Sequence, residues 1–132
     1  MIRVYVESPY AARAPFTVAD HECYARICMT DSLKRGEAPL LSHLLYTQCL
    51  ADTIPDQRRT GMEAGFAWAE KADLAAVYYD LGVTNGMNEG IRRHRERGVR
   101  VELRRIFSPA IGRALRAGYL NLTEAASMRN PP

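Results

Sequence analysis

Residues 2–6, Ile2-Arg3-Val4-Tyr5-Val6, alternate little and are β-branched and aromatic, which predicts a buried strand. Glu7-Ser8-Pro9-Tyr10 follows, and Pro9 stops any ladder because it has no N–H to give. After a loop over 11–16, Thr17 or Asp20 is placed to cap a helix that starts near Val18. Its apolar positions Ala19, Cys23, Ile27 and Leu33 lie near helical spacing, and Gly36 stands where a C-terminal glycine is expected. Residues 38–41 read as a short strand with Pro39 inside it, and Ser42 opens a helix over 42–50. Pro55 separates that helix from the next, about 56–71, with Met62, Phe66 and Ala69 near one face. Residues 74–79 are the most strand-like run in the chain. A turn-rich loop over 80–86, a helix over 86–97 closed by Gly98, and an alternating strand over 99–103 come next. The remainder predicts a short helix over 109–117 and frayed last residues.

The order β-α-β-α-α-β-α-β implies right-handed crossovers. The fold class expected is α/β, a flavodoxin-like three-layer α/β/α arrangement on a small parallel sheet of four or five strands. Residues 1–104 form the α/β domain, and 105–132 a C-terminal helical extension and tail. In such sheets ligands sit beyond the carboxyl ends of the strands. That rule selects four places: the loop after the first strand, Ser42-His43, the start of the third helix, and the loop after the third strand.

Composition adds bounds. At 132 residues, 47% hydrophobic and 25% charged, the chain is one ordinary globular domain and not a disordered one. No apolar stretch is long enough to span a bilayer, so no membrane role is expected. The first residues lack signal-peptide order, and Cys23, Cys28 and Cys49 form no C-x-x-C, so a reduced, cytoplasmic protein is expected. Sixteen arginines against two lysines give a net charge of +3, with many arginines between Arg92 and Arg116. Such a run binds phosphates or is simply a solvated helix face. No aromatics interleave it, so nucleic acid ranks last among the partners.

Each of the four places carries candidate chemistry. Glu7, Ser8, Pro9 and Tyr10 put a carboxylate, a hydroxyl and a phenol at the mouth of the sheet; capping by Ser8 and core coverage by Tyr10 are the alternatives. Ser42 is a candidate N-cap, and His43 is suited either to a phosphate or sugar hydroxyl or to a local hydrogen bond. Gly82, Thr84, Asn85, Gly86 and Met87 form a glycine-flanked loop directly before a helix, without the Gly-Lys-Ser/Thr of a phosphate loop. Glu7, Glu63, Asp80 and Glu89 are the carboxylates placed for acid–base or nucleophilic work. Small neighbours at Gly61, Ala64 and Gly65 let a ligand or another backbone approach Glu63's helix. Three scattered histidines make a poor metal set, and no metal or cofactor is expected.

The first strand with Glu7-Ser8-Pro9-Tyr10-Ala11, the block from Gly36 to His43, and Asp80-Leu81-Gly82 through Gly86-Met87 resemble a small family associated with actinobacteria and their phages. It is similar to a distant branch of the nucleoside 2-deoxyribosyltransferase-like proteins, and the resemblance covers about residues 3–104. It implies a nucleoside or nucleotide pocket at the strand ends and an N-glycosidic bond hydrolase or deoxyribosyltransferase with a glutamate nucleophile. Tyr5 or Tyr10 would orient the sugar, and Asp80 would take an aspartate's role. The enzymes read Gly-x-x-x-Glu-x-Gly, whereas this chain reads Gly86-Met87-Asn88-Glu89-Gly90-Ile91. Glu89 comes one residue early, and Gly90 holds the matching position when Gly86 and Gly98 set the register. One residue is about 100° of helix rotation, which aims a side chain elsewhere.

The catalytic candidates are therefore Glu89, Glu63 and Asp80, with Glu7 a further replacement for the missing glutamate. The alternative is a non-catalytic binder that sequesters a nucleotide-derived ligand. A homo-oligomer is expected in either case. The apolar stripe Phe107, Ile111, Leu115, Tyr119 and Leu120 either covers its own sheet or docks on a neighbouring subunit.

Overall fold

The computed structural model describes residues 1–129. Four parallel strands, β1 (Arg3–Glu7), β2 (Ala38–Leu40), β3 (Leu74–Tyr78) and β4 (Val101–Arg104), form one sheet in the order β2-β1-β3-β4. Tyr5 is paired with Leu40 on one side and Ala75 on the other, and Val77 with Leu103. The chain steps outward from β1 to β2, then returns to the far side of β1 for β3 and β4. The point where that direction reverses lies between β1 and β3, as in flavodoxin-like sheets.

Strand alternation sorts the two faces. Val4, Val6, Leu74, Ala76 and Tyr78 join the main hydrophobic cluster with Tyr24, Ala25 and Cys28 of α1 (Val18–Lys34). The same cluster takes in Leu115 of α5 (Pro109–Ala117) and Leu122 and Ala125 of α6 (Leu122–Ser127). Tyr5 and Glu7 turn to the opposite face, which is covered by α3 (Pro55–Ala69) and α4 (Asn85–Glu96). Before α3, a four-residue helix α2 (Ser42–Leu45) passes into a 3-10 turn, Tyr46–Gln48, so the helix expected over 42–50 is broken at its midpoint.

Two expectations about helices are corrected. The buried seam of α1 is His21, Tyr24, Ala25, Cys28 and Ser32, while Cys23 and Leu33 are exposed. The polar members are seated by partners: His21 Nδ1–H donates to the Tyr10 carbonyl at 3.1 Å, and Ser32 Oγ–H donates to Glu37 Oε1 at 2.8 Å. The tail also holds α6, entered through an Asn121–Glu124 capping box. The fraying expected at the end falls on residues 130–132, outside the described residues.

Asp80 fastens the tail to the sheet. Its carboxylate accepts the Tyr24 hydroxyl at 2.5 Å and the backbone N–H groups of Ile106 and Phe107 at 2.9 Å each. The tail's apolar residues Phe107 and Leu115 are thereby buried against their own sheet, and Tyr119 is left 83% exposed. Among the described residues no helix is long and apolar enough to cross a membrane.

Candidate functional site

A cleft of about 470 Å³ opens beyond the carboxyl end of β1. Four segments wall it: Tyr5 through Arg13, Ser42 through Leu50, one face of α3 with Gln57, Arg58, Met62 and Phe66, and the first turn of α4. Three of these follow strands, as the reversal in strand order requires.

Glu7 is the carboxylate that reaches the inner wall. Its Oε1 lies 2.8 Å from His94 Nε2, and the His94 ring is 2% exposed. That ring is edge-on to Tyr5 at 5.2 Å and to Phe66 at 5.9 Å between centroids. Gly90 makes the arrangement possible, since a Cβ there would stand 2.8 Å from Glu7 Cδ. Burial pushes the Glu7 carboxyl above the usual range, and the hydrogen bond from His94 opposes that rise.

A second glycine does the same for a neighbouring pair. Tyr5 Oη and Ser42 Oγ are 2.5 Å apart, and a Cβ at Gly65 would stand 2.6 Å from both. Burial raises the Tyr5 phenol well above its ordinary value, so it is a neutral hydroxyl at any physiological pH. Nearer the mouth, Ser8 Oγ lies 2.7 Å from His43 Nε2, with the Tyr10 ring edge-on to His43 at 6.4 Å. Burial, reinforced by His21, lowers the His43 imidazole to about 4. His43 is therefore neutral at pH 7, and its Nε2 shares a hydrogen bond with the Ser8 hydroxyl.

The outer wall is more polar. Thr84 caps α4 by accepting the Met87 N–H at 3.2 Å. The Arg58 guanidinium lies against Gly86, where a Cβ would come within 3.1 Å of Nη2, and it pairs with Asp52 at 3.6 Å. Arg13 donates to the Val83 carbonyl at 3.3 Å. Leu50, Met62 and Phe66 supply the apolar part of the lining. Among the described residues, no group of three or more His, Cys, Asp or Glu side chains is placed to hold a metal ion.

The sequence profile of DUF7768, a domain of unknown function, matches residues 2–104. The chain belongs to the DUF7768 family. No curated protein matches it. The DUF7768 match ends at Arg104, so β1 to β4 and every cleft residue fall inside it, while α5 and α6 lie beyond.

Within the DUF7768 domain the sequence-selected residues divide cleanly. Glu7, Ser8, Tyr10, Ser42, His43, Thr84, Asn85, Gly86 and Met87 line one cleft. Ser42 is the first residue of α2 and not its N-cap, and its hydroxyl goes to Tyr5 instead. Pro9 is fully buried, and Gly82, at φ +96°, serves the turn after β3.

The three carboxylates chosen as catalytic are not in the lining. Glu89 is turned out of the cleft and pairs with Arg92 at 2.5 Å. Glu63 lies on the outer side of α3, where Arg93 forks onto its carboxylate and holds it below the usual range. Asp80 is the 2%-exposed staple of the tail. The residues that sequence reasoning passed over are His94, Arg58 and Tyr46. His94 had a usable signal: it stands four residues after Gly90, hence on the same face of α4.

Four arginines of the run are held in ion pairs: Arg92 with Glu89 and Glu96, Arg93 with Glu63, Arg97 with Glu70, and Arg104 with Glu37 and Glu102.

Proposed function

We propose that the cleft takes a nucleoside or nucleotide and that Glu7 supplies the carboxylate acting at its glycosidic carbon. The observation that carries this reading is the seat of Glu7 directly over Gly90. Position 90 is where the resemblance to the nucleoside 2-deoxyribosyltransferase-like enzymes aligns their glutamate. The chain thus lacks that side chain on α4 and brings a carboxylate to the same spot from β1.

The chemistry follows from that placement. A Glu7 oxygen attacks the anomeric carbon, and the C–N bond breaks with its electron pair leaving on the base. Water, or a second base, then displaces the glutamyl ester and restores the carboxylate. The Tyr5–Ser42 and Ser8–His43 pairs suit sugar hydroxyls, and Leu50, Met62 and Phe66 suit the flat faces of a base. Arg58 and Arg13 favour a phosphorylated form of the ligand. The free thiols, two of them exposed, suit the reducing cytoplasm, where we place the activity.

The test is incubation with ribo- and deoxynucleosides and their 5′-monophosphates, with chromatography for free base. Release by the wild type and its loss in Glu7→Gln, with the fold intact by circular dichroism, is the expected result. A compound that raises the melting temperature and is recovered unchanged assigns binding without turnover. Neither release nor stabilisation by any of the panel overturns the reading.

A further inference from the structure

We infer that His94 is a positioning residue for Glu7, its Nε2–H holding Oε1 over Gly90 and leaving Oε2 to face the cleft. The inference deepens the proposal above and rests on it for the consequence to catalysis, but its geometry stands alone. Gly90 and His94 are four residues apart on one face of α4, so one turn offers an empty seat and the next a donor. Glu7 spans both, with Oε1 at 2.8 Å from Nε2.

The histidine is itself fixed. Its ring is buried at 2% exposure and edged by Tyr5 and Phe66. Phe66 is backed by the Arg93 guanidinium, 4.0 Å from the ring centroid, and that guanidinium is committed to Glu63. Glu7 and His94 face the neutral Tyr5 phenol from β1, the Phe66 ring from α3 and each other, while Glu70, Arg93 and Arg97 line a small pocket that also reaches His94. Among the described residues, Glu7 is the side chain hydrogen-bonded to Nε2, and Arg93 and Arg97 are paired with Glu63 and Glu70.

Oε2 is the free oxygen. Among the described residues it takes no hydrogen bond, and no buried side-chain oxygen or nitrogen lacks a partner. Oε2 is therefore touched by solvent, and Glu7 lines the cleft. A carboxylate oriented by one oxygen and free at the other is poised for attack, whereas a protonated acid is not nucleophilic. The hydrogen bond from Nε2 favours the ionised form against the pull of burial.

Two measurements that need no substrate test this. In protein labelled with 13C at the glutamate carboxyl, Glu7 is assigned by its loss in Glu7→Gln and titrated. His94→Leu should raise its midpoint by about one pH unit or more, and His94→Gln, which keeps a donor near the Nε2 position, should recover most of the shift. Long-range 1H–15N correlation of the wild type above the Glu7 midpoint should find the proton on Nε2.

A midpoint moved by less than about 0.3 unit in folded His94→Leu, within the ordinary scatter of an unlinked group, overturns the inference. So does a bare Nε2 in the wild type, and that experiment decides alone if His94→Leu does not fold. Absence of base release beside the expected titration would remove the glycosidic reading and leave the positioning role in place.

Discussion

The Glu7 carboxylate occupies the space that any side chain at position 90 would claim. A strand residue and a helix residue are thereby made mutually exclusive: one can be large only because the other is glycine.

Gly90→Ala should therefore destabilise the protein. In an exposed helix the change gains about 1 kcal/mol from propensity. Here the new Cβ meets a carboxyl tethered to His94, an overpacking that costs about 1–3 kcal/mol. Urea denaturation should show a net loss in the wild-type background and a net gain in a Glu7→Ala background, where the seat is vacant. Stabilisation by Gly90→Ala with Glu7 present would show that the two residues do not contend for that space.

Asp80, expected in the site, belongs to the architecture. Asp80→Ala removes the acceptor of the Tyr24 O–H, of the buried Phe107 N–H and of the half-buried Ile106 N–H, and a buried donor left unsatisfied costs about 1–3 kcal/mol. The expected outcome is a loss of several kcal/mol and faster proteolysis after Arg104, with ligand affinity of the surviving folded protein unchanged. A selective loss of affinity at unchanged stability would return Asp80 to the cleft.

What could be read from the chain follows physical lines. The strands and the three loops at their carboxyl ends were legible, because a parallel sheet buried on both faces needs continuous apolar runs and leaves its ligands one place to sit. The face of α1 was not. Apolar Cys23 and Leu33 point outward while His21 and Ser32 are buried, each seated by one partner outside the helix that hydropathy does not encode. Glu89 lies outside the cleft for a rotational reason that the sequence already carries: Glu89 and Gly90 are neighbours in sequence and about 100° apart on the helix. His94 was masked by the arginines around it, and α6 was missed although Asn121 and Glu124 spell out its capping box.

Arg104 ends both β4 and the family match, and it carries the most enclosed ion pair. Its guanidinium forks onto Glu37 at 2.7 Å on each arm, and the two side chains are 4% and 9% exposed. It also donates to Glu102 at 2.7 Å and to the Tyr78 hydroxyl at 3.1 Å. Arg104→Ala leaves the Glu37 carboxylate buried without its cation and should cost about 3–5 kcal/mol. Arg104→Met combined with Glu37→Met should recover most of that loss, since two apolar side chains of similar volume replace the pair. A double variant as unstable as the single one would show that the charges themselves hold β4 in place.

His43 gives the molecule a pH dependence whose sign is fixed. Its folded-state value is lowered to about 4, against about 6.5 for an unfolded histidine. Between those values the unfolded chain binds the extra proton, so stability rises with pH across that window. The contribution is complete above 6.5 and disappears as pH falls toward 4. Glu7 acts in the opposite sense: its raised carboxyl favours the folded state at low pH, and that advantage fades as the group ionises. The two are separated by comparing melting temperatures from pH 4 to 7 in wild type, His43→Gln and Glu7→Gln. His43→Gln should flatten the rise between 4 and 6.5, and Glu7→Gln should steepen it. An unchanged slope in His43→Gln would mean that the imidazole is reached by water in the folded state and accepts a proton there, which would also remove it as a neutral partner for Ser8.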